Sequence, residues 1–119
     1  MAHQKNENYG DSTYGDGPKG EYRKETTPVD HFGIANGFGL CDMHGNVWEW
    51  CEDHYGEYNQ TPTDGNAFMT EKEDANRVQR GGSWTTNLRY RRSAYRISCT
   101  PVGRIKINGF RICCSGPRT

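Results

Sequence analysis

No stretch of this sequence carries heptads or the sustained pattern of a long amphipathic helix, so its core must come from short strands and loops. The clearest periodicity has period two. Val47-Trp48-Glu49-Trp50-Cys51 alternates and is rich in β formers, which predicts a strand. Residues 77–84 predict a second strand ending in Gly81-Gly82, and residues 93–97 and 109–114 predict two more. Turn residues fill the rest. Gly10, Gly15, Gly17-Pro18 and Gly20 make residues 8–22 an irregular loop, and His44-Gly45-Asn46 is turn chemistry. Thr27-Pro28-Val29 reads as extended, because Pro biases its predecessor away from helix. Residues 55–76 read as a polar connector lying over the surface.

A chain of 119 residues suits one domain with one core. Only 32% of it is hydrophobic and its mean hydropathy is −1.04, which borders on the disordered class. Three Trp, seven Tyr and four Phe argue against disorder and predict a core of aromatics rather than Leu and Ile. Formal net charge is zero but unevenly spread: every acid lies between Glu7 and Asp74, whereas residues 77–119 hold nine Arg and one Lys. Mutual neutralisation within one domain explains this, with nucleic-acid binding as the alternative. The five Cys (Cys41, Cys51, Cys99, Cys113 and Cys114) are odd in number, and the adjacent pair would point to opposite faces of a strand. With no signal peptide or transmembrane run evident, reduced thiols and a cytoplasmic location are expected.

Asn36-Gly37-Phe38-Gly39-Leu40-Cys41-Asp42-Met43-His44-Gly45-Asn46-Val47-Trp48-Glu49-Trp50 resembles the formylglycine-generating-enzyme, or sulfatase-modifying-factor, family. Arg77-Val78-Gln79-Arg80-Gly81-Gly82-Ser83-Trp84, Arg92-Ser93-Ala94-Tyr95-Arg96 and Gly109-Phe110-Arg111 continue the likeness in order. The resemblance covers about residues 26–115 and implies a C-type-lectin-like α+β fold with little regular secondary structure. Residues 1–25 are then an irregular segment of the same domain, and residues 26–119 the lectin-like domain proper. Enzymes of the family oxidise a substrate cysteine with a copper-binding Cys pair between the Gly-Gly-Ser and Arg-x-Ala motifs. Here that stretch, residues 84–91, holds no Cys, and Thr or Arg cannot replace the thiolates that Cu(I) requires. A non-catalytic domain is expected; an oxidase relative is the alternative.

Residues 80–119 are similar, more narrowly, to the variable regions of diversity-generating retroelement target proteins. In those proteins Asn codons of a template are copied with adenine-specific errors, while Arg-Gly-Gly-Ser-Trp, Arg-Ser-Ala-Tyr-Arg and Gly-Phe-Arg stay fixed. The resemblance implies a ligand-binding surface in three patches. The first holds Thr85, Thr86, Asn87 and Tyr90, flanked by Arg89 and Arg91; the second Ile97, Ser98, Cys99, Thr100, Val102 and Gly103; the third Ile105, Lys106 and Ile107. Its ligand is expected to be a macromolecule, a protein before a nucleic acid, with Tyr90 and Arg89 or Arg91 the strongest contacts. Trp84, Tyr95 and Phe110 are expected to anchor the core, and Arg92, Arg96 and Arg111 to tie loops to carbonyls and carboxylates.

The same resemblance implies a structural Ca²⁺ at Asp42, Gly45, Val47 and Glu49, two carboxylates and two backbone carbonyls. The competing reading has Asp42 capping a turn and Glu49 paired with an arginine. A second calcium set would fall on Asn8, Tyr9, Glu21 and Arg23, with a weaker match. Cys41-x-x-His44 and Cys51-x-x-His54 have zinc-like spacing, but the strand expected between them would hold the pairs apart. His3 and His31 stand alone and are expected in solvent.

Overall fold

A computed structural model describes residue 16 and residues 21–113. The alternating run around the tryptophans does form a strand, β1 (Trp48–His54), and it lies inside a four-stranded sheet. The strand β2 (Arg77–Arg80) pairs antiparallel to it, with Trp50 opposite Gln79 and His54 opposite Arg77. The register shifts between those two pairs, so β1 carries a bulge. On the other side of β1, the two-residue β4 (Asn108–Gly109) pairs in parallel. The edge strand β3 (Ile97–Cys99) pairs antiparallel to β2, giving the order β3-β2-β1-β4.

The three C-terminal strands depart from the sequence expectation, each for a local reason. β2 stops at Arg80 because Gly81 and Gly82 take φ of +87° and +76°, left-handed values that end a strand. β3 starts at Ile97 rather than residue 93, since Tyr95 turns its ring onto Trp48 (centroids 6.3 Å apart) instead of joining the ladder. β4 ends at Gly109, where a side chain would meet Val47 Cγ2 at 2.8 Å. Beyond it Arg111 turns back to Glu49, which leaves Phe110, expected in the core, 74% exposed. Cys114 and most of the loop at residues 8–22 lie outside the described residues.

The apolar core is Trp48, Val78, Trp84 and Leu88. Beside it sit Gln79 and Ser83, both fully buried, so polar groups fill space that Leu and Ile occupy in most domains. The connector at residues 55–76 is bound to the sheet. Phe68 N–H donates to Asp53 Oδ1 at 3.0 Å, while its carbonyl accepts from His54 N–H at 2.7 Å. One 3-10 turn (Tyr58–Gln60) lies in the connector, closed by a reciprocal Glu57–Gln60 capping box.

Candidate binding surface

The segment after β2 is a frame held by polar closure. Gly82 reaches its left-handed conformation directly against Arg91, whose Cγ would stand 2.7 Å from any added Cβ. That approach folds Ser83 and Trp84 inward. The Ser83 hydroxyl meets the hydroxyls of Thr85 and Thr86 at 2.9 and 3.0 Å, and Ser83 N–H donates to Thr86 Oγ1 at 2.9 Å. Arg91 donates through Nε and Nη2 to the Thr86 carbonyl, at 3.0 and 2.7 Å. Burial pushes the Arg91 pKa down to about 10. His44 Nδ1–H donates to the Arg91 carbonyl at 2.7 Å, tying the frame to the turn before β1.

Two of the residues expected on the displayed surface therefore lie beneath it. Thr86 and Arg91 are 8% and 4% exposed, and both spend their polar groups inside the frame. Thr85 and Asn87 are half-buried; Asn87 Oδ1 accepts from Arg89 N–H and caps a second 3-10 turn, Leu88–Tyr90. Arg89 and Tyr90 are exposed, with the Tyr90 ring 5.0 Å from Tyr95.

The second and third patches flank the sheet. Ile97 and Cys99 are half-buried on the edge strand β3, and Ser98 faces out, its Oγ accepting from Asn76. β4 lies at the opposite edge, so residues 100–107 must cross from one edge to the other. Along that crossing Thr100, Val102, Gly103, Ile105 and Lys106 are exposed. Lys106 Nζ sits 5.2 Å from the Trp84 ring centroid, which brings the third patch against the first. Ile107 is half-buried, its carbonyl accepting from Trp48 N–H at 2.7 Å. Of the expected loop ties, Arg92 bonds the nearby Arg89 carbonyl, and Arg96 stacks on Tyr55 and Tyr58.

Asp42, Val47 and Glu49 share a cleft of about 330 Å³ with Val29, Leu40 and Arg111. Arg111 closes on Glu49 through Nε and Nη2, one N–H to each carboxylate oxygen, and also donates to the Cys41 carbonyl. The Glu49 hydrogen bond raises the Arg111 pKa. Asp42 accepts from Asp30 N–H at 3.3 Å, and Gly45 is buried under Arg91. Thus arranged, the set does not fit a calcium ion, because the Glu49 charge is already matched by a guanidinium and one carboxylate is left. Of the weaker calcium set, Glu21 pairs with Arg23 at 3.0 Å, while Asn8 and Tyr9 lie outside the described residues. Among the described residues no three His, Cys, Asp or Glu side chains converge as a metal site, and His44 and His54 each bond elsewhere.

The sulfatase-modifying factor enzyme 1-like domain model matches residues 1–115. The chain belongs to that family. It is 38% identical over 97 residues to the serine/threonine-protein kinase pkn1 of Chlamydia caviae, a match covering 80% of this chain and 15% of the kinase. The solved structure of PvdO from Pseudomonas aeruginosa is similar with TM-score 0.69 and 33% identity, over 83% of this chain and 42% of that one. Treponema denticola variable protein 1 is similar with TM-score 0.59 and 30% identity, over 76% of this chain and 32% of that one. The chain thus spans less than half the length of these relatives. Formylglycine-generating enzymes match as well, as does the inactive C-alpha-formylglycine-generating enzyme 2 of Bos taurus, so the family holds catalysts and a non-catalyst. The fold is the family's C-type-lectin-like arrangement, mostly loops around a small sheet.

Within this family frame, Cys41, Cys51 and Cys99 are poorly disposed to ionise. Cys99, the one nearest the missing Cys pair, has its pKa raised by burial, as does Cys51. Cys41 is raised mainly because its thiol donates to Asp30. What the sequence reading missed is the polar interior: no residue pattern marks Gln79 and His54 as buried with unpartnered side-chain atoms.

Proposed function

We propose that this chain is a non-catalytic domain that binds a macromolecular ligand, a protein before a nucleic acid, through a diversified surface on a fixed frame. The observation that supports this reading is the division of the C-terminal half. The motif residues Gly82, Ser83 and Trp84 are buried, whereas Arg89, Tyr90, Ser98, Thr100, Val102, Gly103, Ile105 and Lys106 are exposed. A rigid support under permissive loops is the usual arrangement for recognition. The likeness to a variable protein of Treponema denticola supports variation at those positions by a diversity-generating retroelement. Thr86 and Arg91 are left out of the surface so proposed. Free thiols at Cys41, Cys51, Cys99 and Cys113 suit a reducing compartment such as the cytoplasm.

The test is to sequence the gene from several isolates together with any nearby template copy. Substitutions gathered at the exposed positions and matched to template adenines are expected. Constant positions without a template would leave a binding domain of fixed specificity.

Nucleic-acid binding by the basic half is less well supported. Arg77, Arg80, Arg91, Arg92 and Arg111 each donate to protein carbonyls or a carboxylate, which draws much of that charge inward. Binding to DNA or RNA that falls steeply with added salt would restore that reading. An oxidase relative predicts copper-dependent oxygen consumption with a cysteine-containing peptide; none is expected, since residues 84–91 offer no thiolate pair.

A further inference from the structure

A second cavity, of about 200 Å³, opens between the end of β1, the connector after it, β2 and Arg96. Asp53, His54, Tyr58, Thr61, Arg80 and Arg96 line it, and none belongs to the displayed patches. His54 is 2% exposed, and its protonation pattern is fixed by what it touches. Thr70 N–H donates to His54 Nδ1 at 2.9 Å, so Nδ1 presents a lone pair and the ring proton sits on Nε2. That Nε2–H has no acceptor among the described residues. A buried donor left without an acceptor is costly, and folded proteins rarely keep one without a reason.

The neighbouring charges ask for the same kind of partner. The Arg96 guanidinium lies 3.9 Å from the Tyr58 ring centroid and 4.8 Å from that of Tyr55, a stacked position that holds it while leaving its edge N–H groups free. Arg80 gives one N–H to the Ser93 carbonyl at 2.8 Å and another to the Cys51 thiol, with three of its five N–H groups remaining. Neither arginine pairs with an acid among the described residues. One acid does line the cavity. Asp53 accepts Phe68 N–H on Oδ1, and Oδ2 has no hydrogen-bond partner among the described residues. Two guanidinium groups and a single carboxylate thus line the cavity, beside the buried and unpaired N–H of His54.

We propose that this cavity binds a small oxyanion that retains a hydroxyl, such as hydrogen phosphate, gripped by Arg80 and Arg96 with His54 Nε2–H on one oxygen. Asp53 sets the second half of that specificity. An ionised carboxylate only accepts hydrogen bonds, so it repels a bare anion and takes the proton of one that still carries a hydroxyl. Phosphate and sulfate share size and shape but differ in that proton at neutral pH, so the cavity prefers phosphate. The site stands whether or not the displayed surface varies, because the two share no residue.

The test is a nuclear magnetic resonance titration of the whole chain at pH 7, following the His54 ring nitrogens. Sodium phosphate and sodium sulfate are compared at constant ionic strength kept with sodium chloride. Saturable shifts with phosphate are expected, with sulfate weaker by about tenfold, the worth of one charge-assisted hydrogen bond. Arg96→Gln weakens phosphate by at least about tenfold, and Asp53→Asn narrows the gap between the two anions. Shifts that follow ionic strength alone, or equal binding of phosphate and sulfate, overturn the proposal. The comparison in the unsubstituted protein decides the matter by itself should either variant fail to fold.

Discussion

Two segments of the C-terminal half, residues 81–91, rich in Gly, small polar residues and Arg, and residues 97–107, which hold three Ile and a Val, occupy environments that their hydropathy does not predict. In the first, Gly82, Ser83, Trp84, Thr86, Leu88 and Arg91 are buried. In the second no residue is fully buried, and Val102 and Ile105 are 87% and 55% exposed. Hydropathy therefore does not decide which side chains go inside this domain, since an arginine and a threonine lie within while a valine and an isoleucine lie without. Closure of hydrogen bonds decides it. Ser83 bonds Thr86 and Arg91 bonds the Thr86 carbonyl, so most of their polar groups are matched inside the frame. Residues 100–107 carry few such bonds, so their side chains can change without breaking a network.

The comparison breaks most visibly at Gly82. Gly82→Val places a branched side chain at φ +76° and drives its Cβ to 2.7 Å from Arg91 Cγ. The left-handed strain and the overpacking together should cost about 3 kcal/mol or more. Urea unfolding measures it, and a loss near zero would mean that Arg91 is free to move aside.

Arg91→Ala comes next. It removes both donors to the Thr86 carbonyl and leaves a void under Gly45 and Gly82, for about 3 kcal/mol. Arg91→Met, which keeps the bulk, should cost less. The pH dependence has a definite sign. Burial holds the folded pKa at about 10, below the ordinary arginine value, so the unfolded chain binds more protons above pH 10. The Arg91 contribution to stability therefore rises with pH through that window. Unfolding midpoints of wild type and Arg91→Met should diverge there in favour of the wild type, and parallel curves would contradict a desolvated guanidinium.

How much of this was legible beforehand differs between the two segments. β1 was, because Val47 to Cys51 alternates and nothing in it interrupts a strand. The end of β2 was half legible, since the double glycine marks a strand end in the sequence, but the ladder stops at Arg80 rather than running on to Trp84. Arg111 was expected to tie a loop and does, with Glu49, the alternative that stood against a calcium site. Thr86 and Arg91 were not legible as interior residues. Their burial depends on Arg91 packing against Gly82, which has no side chain, and on a His44 bond spanning 47 positions, neither of which a local pattern reveals. The His54 cavity was hidden for the same reason, since it needs the β1 bulge and Thr70 together.

A third substitution, Arg111→Gln, tests the tie rather than the frame. Glu49 and Arg111 are partly exposed, so breaking their paired bonds should cost about 1 kcal/mol. Millimolar calcium should leave the wild-type melting temperature unchanged, because Arg111 already neutralises Glu49. A rise with calcium that EDTA reverses would show that the cation displaces the guanidinium.

The smallest effects belong to the displayed segment, and they sharpen the comparison most. Val102→Asn, Ile105→Ser and Thr100→Ala should each change stability by no more than about 0.5 kcal/mol, since each side chain is exposed. Lys106→Thr should sit at the top of that range, about 0.5 kcal/mol, because it loses the contact over Trp84. Ile105 and Lys106 are adjacent and can couple, but their side chains are exposed, so the four changes combined should stay within about 2 kcal/mol of the wild type. Ile107 serves as the internal control: half-buried beside β1, it should cost about 1 kcal/mol or more when cut to Ala. If the combined variant unfolds while Ile107→Ala does not, the crossing segment is holding the sheet together. A loop with that duty could not carry unrestricted substitutions, and the divide between fixed frame and free surface would fall with it.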